Sequence, residues 1–408
     1  MRSQRCGQKI NCLAEHHDLL VVGTGAGGGT FAHTLAAYGK RLLRYMPKSG
    51  IGYETPLPGP PTPGGDAHGA TPGRQVMDAT DRNRAPPHQG RPRRITPNLF
   101  SIPFGLAGLG GSWRAAEPLL GTPRAVPDAV YILAAGAWLV LVAGYVAQGP
   151  RRMLADLRDP VLSPFPSLAA ITPMMLGAAL ATAAFTAGRT VVLTFLAITI
   201  GLGGWVTGQF VVGDLTTDAL HPGYYLPGAA GGLLGANAAA QVHLHALAEA
   251  SFGIGIISWL VVGSLISNRL TTRPMLPPPL IPTLAIEFAP PAVAGVAYFA
   301  LTARTSNFAA ALGGYAVLMA VAQLRFVPLY ARLRFSPAFW SFTFPYAAGV
   351  TDALLWLRAT RPPGGTVYAI VVIVLITALI GGIAARTVVA AARRQLLVEP
   401  PSAARPER

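Results

Sequence analysis

The sequence predicts an all-α membrane protein, and three observations carry that prediction. Apolar residues make up 51% of the 408 residues and charged residues only 12%, whereas a soluble chain of this size carries about a quarter charged residues. Apolar runs of about 20 residues, the length that crosses roughly 30 Å of hydrocarbon, recur from residue 97 onward. Both cysteines, Cys6 and Cys12, lie near the N-terminus, so we expect no disulfide framework in the body of the chain.

The net charge of +15 comes mainly from arginines scattered in twos and threes between apolar runs. A nucleic-acid-binding chain would cluster its basic residues on one surface or along one helix. Scattered arginines between apolar runs are typical of loops that face a membrane. We therefore expect membrane lipid as a partner and no nucleic acid.

Residues 1–96 have a different character from the rest of the chain. A short apolar run from Asp18 leads into Gly23, Gly25 and Gly28, spaced G-x-G-x-x-G, and then into a helical pattern and a second apolar run. This opening resembles the start of a glucose-methanol-choline oxidoreductase, a family that binds FAD. The acidic residue expected to bind the ribose is missing after the second run, where the next acid is Glu54.

The residues after the second run predict no complete nucleotide-binding domain. From Met46 to Thr96 there is no strand pattern, and proline and glycine are frequent. One strand-helix-strand unit cannot bury a core, because the fold requires the rest of its sheet. We interpret residues 1–96 as a vestigial dinucleotide-binding-like fragment plus a disordered basic linker, with no bound cofactor. A true start of the chain near residues 77–95, with Met77 as the nearest methionine, explains the pattern equally well.

Residues 97–390 are predicted to form a ten-helix transporter or channel domain, followed by a cytoplasmic tail over 391–408. The ten apolar stretches cover 98–113, 129–147, 165–187, 190–212, 222–242, 251–267, 280–302, 306–324, 336–357 and 366–385. Arginines are sparse in every second connection, which the positive-inside rule assigns to the outside. The sequence therefore predicts a multi-pass protein of the plasma (inner) membrane with cytoplasmic N- and C-termini. The outside arginines are Arg114, Arg124, Arg189, Arg304, Arg358 and Arg361.

Proline marks an internal repeat in this domain. Each odd-numbered stretch carries interior proline, at Pro103, Pro173, Pro227, Pro290 with Pro291, and Pro345, whereas the even-numbered stretches carry none. Proline kinks a spanning helix, and small residues let helices approach closely. We interpret the alternation as five helical hairpins, each with a kinked inner helix and a straight outer one, around a central pore. The alternative is that proline and glycine are simply common in membrane helices. Four sites have glycine four residues later, at Gly177, Gly231, Gly295 and Gly349.

Four runs in this domain share one likeness, and they are PFGLAGLGGSWR from Pro103, HPGYYLP from His221, FAPPAVAG from Phe288 and FWSFTFP from Phe339. Together they resemble one family, the tellurite-resistance/dicarboxylate transporters, which include TehA-like proteins and the slow anion channels of plant guard cells. The resemblance implies ten helices as five hairpins around a central pore, a small anion as substrate, and a homotrimer.

The resemblance also implies an aromatic gate in the ninth helix, which falls on Phe344, immediately before Pro345. A bulky apolar ring at a narrow point blocks ions sterically and by dewetting. Phe342 is the competing candidate for this gate. Taken without the family, a phenylalanine beside a helix proline is more often ordinary packing.

Few ionisable residues fall at membrane depth, where charge is costly and often functional. Glu287 either couples transport to protons or holds the backbone near Pro290 and Pro291, and Asp352 must be paired, hydrogen-bonded or protonated. His243 and His245 have the spacing of a chelating pair, but no cysteine or acidic cluster supports a metal site, and we expect interfacial histidines. His221 is expected at the start of the fifth helix.

Together these features predict anion transport through a central pore and no enzymatic activity. The alternative within transport is a proton-coupled carrier for dicarboxylate, sulfite or tellurite-type oxyanions. A membrane-tethered FAD oxidoreductase is a third hypothesis, which the missing sheet and the missing acid disfavour.

Overall fold

The structure is a computed structural model that describes residues 19–22, 42–46, 50–52, 94–213 and 215–393. The chain divides into two compact units, Met1–Arg84 and Ala85–Arg408. The first unit contains a three-stranded sheet with the order β1-β2-β3, and its strands are β1 Leu19–Val22, β2 Leu42–Met46 and β3 Gly50–Gly52.

The pairing in this sheet fits the predicted strand-helix-strand opening in part. β1 and β2 pair in parallel, which requires a crossover connection between them. Gly23, Gly25 and Gly28, the connecting helix and most of the predicted linker lie outside the described residues. The expectation of no strand after Met46 was wrong, because β3 pairs antiparallel with β2. Three residues, two of them glycine, are too few to show a strand pattern in sequence.

The second unit is helical throughout its described part, residues 94–213 and 215–393. Its eleven α-helices are α1 Ser101–Leu120, α2 Ala125–Val146, α3 Pro150–Arg158, α4 Pro166–Leu180, α5 Phe185–Val212, α6 Gly231–Gln241, α7 His245–Thr272, α8 Ala289–Thr302, α9 Asn307–Tyr330, α10 Thr343–Thr360 and α11 Gly365–Ala392. Six helical segments are long and apolar enough to cross a membrane: α2, α5, α7, α9, α11 and the continuous segment 278–302 that ends in α8.

Four helices of this unit begin with turns that are not α-helical. A 3-10 helix precedes α1, α8 and α10, and a 3-10 turn followed by a π-helix precedes α6. These segments carry the remaining length of the predicted stretches, so the α-helices themselves are shorter. Their bounds are Pro97–Phe100, Pro222–Tyr225, Leu226–Ala230, Pro278–Phe288 and Pro337–Phe342.

The repeated prolines mark these changes of helix type, so most of them lie where the α-helical part of an inner segment begins. Pro103, Pro290, Pro291 and Pro345 lie in the first turn of an α-helix, and Pro227 lies in the π-helix. Proline is tolerated in a first turn because its missing N–H would have no intrahelical partner there. Pro173 alone of the six lies well inside an α-helix.

The strict alternation of proline also needs correction. Pro328 lies inside α9, an even-numbered helix in the prediction, two residues before its end at Tyr330. The predicted stretch ended at residue 324 because Arg325 interrupts the apolar run. The helix continues past that arginine, so the proline falls in its last turn.

Helices α1, α4, α6, α8 and α10, which we call the inner helices, form a closed ring. Each contacts the next in this order, and α10 contacts α1. The segments that begin α8 and α10 also contact each other, and the segment before α8 contacts the turn before α6. The inner helices therefore begin at one face of the ring, the N-terminal face, and end at the opposite, C-terminal face.

Helices α2, α5, α7, α9 and α11, the outer helices, lie in the grooves between inner helices. Each packs against the inner helix that precedes it in the chain, and α2, α5 and α7 also pack against the next inner helix along the chain. α11 closes the circle by packing on both α10 and α1. α9 reaches α10 through Gln323, whose side-chain oxygen accepts a hydrogen bond from the Tyr346 hydroxyl at 3.1 Å.

The repeated glycines serve helix packing. A side chain at Gly295 would collide with the carboxyl group of Asp352 on α10, and one at Gly349 would collide with the ring of Phe288. A side chain at Gly177 or Gly231 would meet residues of the outer helix α5. All four glycines thus accept a neighbouring helix, and none of them lines the axis of the ring.

The short helix α3 is tied to the start of the second unit at the N-terminal face. The buried carboxylate of Asp156 accepts hydrogen bonds from Arg94 at 3.0 Å and from the hydroxyl of Tyr145 at 3.1 Å. Gln148 donates to the carbonyl of Ile95 at 2.9 Å. Residues 94–96 therefore belong structurally with the helical unit, whose predicted start was residue 97.

Candidate functional site: the axial cavity

A cavity lies on the axis of the ring near the N-terminal face. It has a volume of about 30 Å³. Since a cavity needs about 10–15 Å³ of such volume to hold one water molecule, it has room for two or three. Every inner helix, or the turn that begins it, contributes to its lining. The lining residues are Ser101, Phe104, Phe165, Leu168, Tyr225, Leu226, Ala230, Leu233, Ile286, Ala289, Pro290, Val293, Trp340, Ser341, Phe344 and Pro345.

Phe344 lines this cavity and packs against a second phenylalanine on the neighbouring inner helix. Its ring stacks on that of Phe104 from α1, with centroids 3.8 Å apart and an angle of 21° between the planes. Phe344 is 5% exposed. Gly108 makes room for it, because a β-carbon there would lie 2.9 Å from the Phe344 ring. Two stacked aromatic side chains from neighbouring inner helices therefore form part of the wall of the cavity.

Phe342, the competing candidate for the gate, points away from the cavity. It packs edge-on against Tyr330 at 4.8 Å between centroids and against Phe339 at 5.4 Å. Phe342 is 6% exposed and Phe344 is 5% exposed. The two phenylalanines are thus equally buried, but only Phe344 lines the axial cavity.

The predicted pore-lining prolines divide in a similar way. Pro290 and Pro345 line the cavity. Pro103, Pro173, Pro227 and Pro291 are buried but are absent from its lining. Successive residues of a helix point in different directions, so a proline can shape the start of a helix without its ring reaching the axis.

Glu287 lies beside the cavity and reaches it through a tyrosine. Its Oε2 accepts a hydrogen bond of 2.9 Å from the hydroxyl of Tyr225, and the Tyr225 ring lines the cavity. The other oxygen, Oε1, is buried with no hydrogen-bond partner among the described residues. The carboxyl group therefore accepts a hydrogen bond from a tyrosine of the third inner segment.

Asp352 is the second carboxyl group buried among the inner helices. It is 4% exposed, and its side chain lies against Gly295 of α8. Its Oδ1 has no hydrogen-bond partner within the described part of the chain. The contact with glycine brings this carboxyl group to the junction of α8 and α10.

The histidines of the prediction have structural contacts. His221 is fully buried at the N-terminal face, where its Nδ1 accepts from the Gly223 amide at 3.1 Å and its Nε2 lies 3.1 Å from the Val161 carbonyl. Burial lowers the pKa of this imidazole to about 4. The ring is therefore neutral at pH 7, with its proton on Nε2, and caps the turn at Pro222.

His243 and His245 lie in the connection from α6 to α7. The His243 ring stacks on Phe185 at 5.6 Å, with a backbone φ of 61°, and His245 begins α7. Over residues 94–213 and 215–393, no three potential metal ligands lie close enough together to hold an ion.

The lining of the cavity is largely apolar. Its polar side-chain groups are serine and tyrosine hydroxyls and the indole N–H of Trp340, and it contains no lysine or arginine. At the C-terminal face, Arg114 pairs with Asp128 at 2.6 Å and lies 3.8 Å from Glu117. The lining therefore offers no fixed positive charge that could replace the hydration water of an anion.

Three residues of the site escaped the sequence analysis: Phe104, Tyr225 and Trp340. Each lies within a run that carries the family resemblance, but no spacing rule links them to Phe344. Trp340 is 1% exposed and donates from Nε1 to the Thr387 hydroxyl of α11 at 2.9 Å. The aromatic residues of these runs were the available signal. Only the contact between α1 and α10 shows which of them lie at one site.

A closed ring of inner helices around an apolar cavity, surrounded by long lipid-compatible outer helices, defines a polytopic membrane protein built around an axis. The chain belongs to the SLAC1 family, described as voltage-dependent anion channels, whose pattern it matches over residues 94–388. It is also 26% identical over 290 residues to the tellurite resistance protein TehA homolog of Haemophilus influenzae, which covers 68% of this chain and 86% of that protein.

This membership confirms the resemblance drawn from the four runs. The family to which residues 94–388 belong consists of membrane anion channels and transporters and not of enzymes. Anion transport across a membrane is the activity that the family indicates.

Proposed function

We propose that this protein transports a small anion along the axis of the ring, through ten helical segments that span the bilayer as five hairpins. The observation that carries the proposal is the axial cavity, to which all five inner segments contribute. Six segments meet the length and hydropathy of a span on their own. The other four are the inner segments 97–120, 166–180, 222–241 and 337–360, which are shorter or interrupted by 3-10 and π turns.

In this proposal Phe344 is the gate, and Phe104 is its partner. The stacked pair occupies the cavity level at which a narrow, apolar passage would have to open. Movement of the Phe344 ring off Phe104, by a change of rotamer or a shift of α10 against α1, would let water and an ion pass. The remaining lining residues offer no charge that could hold an anion there, so release would be fast.

The test is anion flux into liposomes that contain purified Phe344→Ala protein. We expect flux at least about tenfold above that of the unchanged protein, which corresponds to a barrier lower by about 1.4 kcal/mol. Phe342→Ala is the matched control, because it removes an equally buried ring from outside the cavity. Equal fluxes for the two variants, both recovered as folded protein, would overturn the gate.

The alternative is a proton-coupled carrier for a dicarboxylate, sulfite or tellurite-type oxyanion. Its support is the hydrogen bond between Glu287 and Tyr225, which joins a buried carboxyl group to the wall of the cavity. Reversal potentials in planar bilayers separate the two functions. A channel responds to the anion gradient alone, whereas a carrier of this kind also responds to a proton gradient, and Glu287→Gln would abolish that second response.

We further propose that the protein lies in the plasma membrane with both termini in the cytoplasm and assembles as a homotrimer. Arginine is frequent in the connections at the N-terminal face, where Arg151, Arg152, Arg273, Arg332 and Arg334 are exposed. Labelling of single cysteines in these connections from either side of the membrane, after replacement of Cys6 and Cys12, tests the orientation. The mass of the assembly in native mass spectrometry tests the trimer.

We propose that residues 1–96 bind no nucleotide cofactor. The family match begins at residue 94, so it leaves the glycine-rich segment uncovered. The absorbance spectrum of the purified full-length protein tests this, and a bound flavin would overturn it.

A further inference from the structure

A second cavity lies outside the ring, on the surface of the helical unit near the N-terminal face. It is an open groove of about 450 Å³, within the roughly 300–1,000 Å³ that is typical of small-molecule sites. Its floor and one wall come from the end of α9, the connection and 3-10 turn that follow it, and the start of α10, and the other wall is residues 378–386 of α11. We call it the aromatic groove.

Five aromatic rings give the aromatic groove its character. They pack on one another in a continuous cluster, with Phe342 at the centre, 4.8 Å from Tyr330 and 6.3 Å from Tyr346 between centroids. Phe335 and Phe339 extend the cluster toward the N-terminal face, with centroids 5.3 Å apart. Such a surface binds an apolar chain, because it offers large apolar rings that water solvates poorly.

The wall opposite these rings is built from small and aliphatic side chains of α11 and ends in a positive charge. Gly382 leaves an opening in this wall, since a β-carbon there would have no atom within 4 Å. Arg386 lies one helical turn beyond, with its guanidinium 5.3 Å over the ring of Phe335. Its position is six residues before the end of α11, or about 9 Å at 1.5 Å per residue, which is where a membrane arginine reaches the headgroup layer.

We propose that the aromatic groove binds a phospholipid with an anionic headgroup, drawn from the leaflet at the N-terminal face. One acyl chain lies along the aromatic rings past Gly382, and Arg386 donates hydrogen bonds to the headgroup phosphate. Arg332 and Arg334, both exposed in the connection between α9 and α10, add positive charge at the same level. Charge complementarity selects this ligand, because basic residues near the membrane surface attract anionic lipids.

The aromatic groove lies next to the turn that carries Phe344. Phe342 and Tyr346 face the groove, whereas Phe344 and Pro345, on the same turn, face the axial cavity. The lipid would therefore pack behind the turn that carries Phe344. Binding itself does not depend on the proposed transport function and is measured without it.

The test is native mass spectrometry of the full-length protein in detergent, titrated with phosphatidylglycerol or with phosphatidylcholine. Gly382→Leu fills the groove, and Gly381→Leu is the matched control, because its side chain also has open space but points away from the groove. We expect Gly382→Leu to weaken phosphatidylglycerol binding about tenfold and Gly381→Leu to leave it unchanged.

A second pair of variants tests the headgroup contact. Arg386→Gln should remove a preference of about fivefold for phosphatidylglycerol over phosphatidylcholine, whereas Arg393→Gln, at the end of the same helix, should keep it. Equal lipid binding by the Gly382→Leu and Gly381→Leu proteins would overturn the proposal. A change of subunit number in the Gly382→Leu spectra, with lipid binding intact, would also overturn it, since the groove would then be an interface between copies of the chain.

Discussion

The inner and outer helices of this protein satisfy the membrane in different ways. Outer helices are long, uninterrupted and apolar, and many of their large side chains face outward, such as Val140 at 71% exposure. Inner helices are short, begin with 3-10 or π turns in four of five cases, and bury most of their side chains. Five of the six segments that qualify as spans by length and hydropathy are the outer helices, and only 278–302 is an inner one.

This difference reflects the surroundings of each set of helices, which are lipid for the outer helices and protein for the inner ones. Lipid cannot hydrogen-bond to backbone groups, so a helix that faces it must be regular along its whole length. A helix buried in protein can change from 3-10 to α, because its neighbours cover the exposed backbone groups. The inner ring can therefore combine prolines, glycines and an axial cavity, whereas the outer layer cannot. Matched substitutions in the two layers test this division.

The largest effect is expected for buried tryptophan in the inner ring. Trp340→Ala removes a ring that is 1% exposed and its hydrogen bond to Thr387, so the free energy of unfolding should fall by about 3–5 kcal/mol. Trp205→Ala on α5, where the ring is 43% exposed and donates only a long hydrogen bond of 3.4 Å to the Leu157 carbonyl, should lower it by at most about 1.5 kcal/mol. Denaturation in detergent micelles measures both. Similar losses for the two variants would contradict the division into a packed ring and a lipid-facing layer.

Glycine should show an intermediate effect, with opposite signs in the two layers. In Gly232→Ala on α6, the new β-carbon would lie 2.6 Å from the Cα of Gly255, so we expect a loss of about 1–3 kcal/mol. In Gly253→Ala on α7, nothing lies within 4 Å, so helix propensity should add up to about 1 kcal/mol. Thermal unfolding of the two proteins in the same detergent gives the comparison. A stabilised Gly232→Ala protein would show that α6 and α7 are not closely packed.

The smallest effect is expected for a single hydroxyl. Tyr225→Phe removes the hydrogen bond that its hydroxyl donates to Glu287, at a cost of about 0.5–1.5 kcal/mol. Tyr315→Phe, on the outer helix α9 with 46% exposure, should be nearly neutral. The same unfolding measurement applies. If Tyr225→Phe were also neutral, the hydrogen bond between Glu287 and Tyr225 would carry no stability, which would contradict the contrast between the packed inner ring and the outer layer.

Much of the fold was predictable because hydropathy and charge act over the local chain. The outer helices, the apolar excess and the family resemblance all derive from the sequence of residues 97–390. The prolines were predicted to kink the inner helices, and the structure places most of them where the α-helical part of a segment begins. A proline shows that a regular α-helix is interrupted, yet whether it kinks the helix or begins its α-helical part depends on the hydrogen bonds of the preceding turn.

The candidate site was predictable only in part, because it depends on contacts that the local sequence does not show. Phe344 and Phe342 are two residues apart, equally apolar and equally buried. Their difference arises from what each faces, Phe104 and the axial cavity in one case and Tyr330 and Phe339 in the other. No local pattern contains this information, since Phe104 lies 240 residues away in the chain.

The sequence by itself determined that this protein lies in a membrane, where its apolar stretches fall, and which family it resembles, because these depend on composition and on short runs of residues. Only the tertiary structure decided which helices form the ring, which of Phe342 and Phe344 reaches the axis, and where Arg386 meets the aromatic groove. Those properties depend on contacts between helices far apart in the chain, and the direction of a side chain acquires its meaning only when its neighbours are in place.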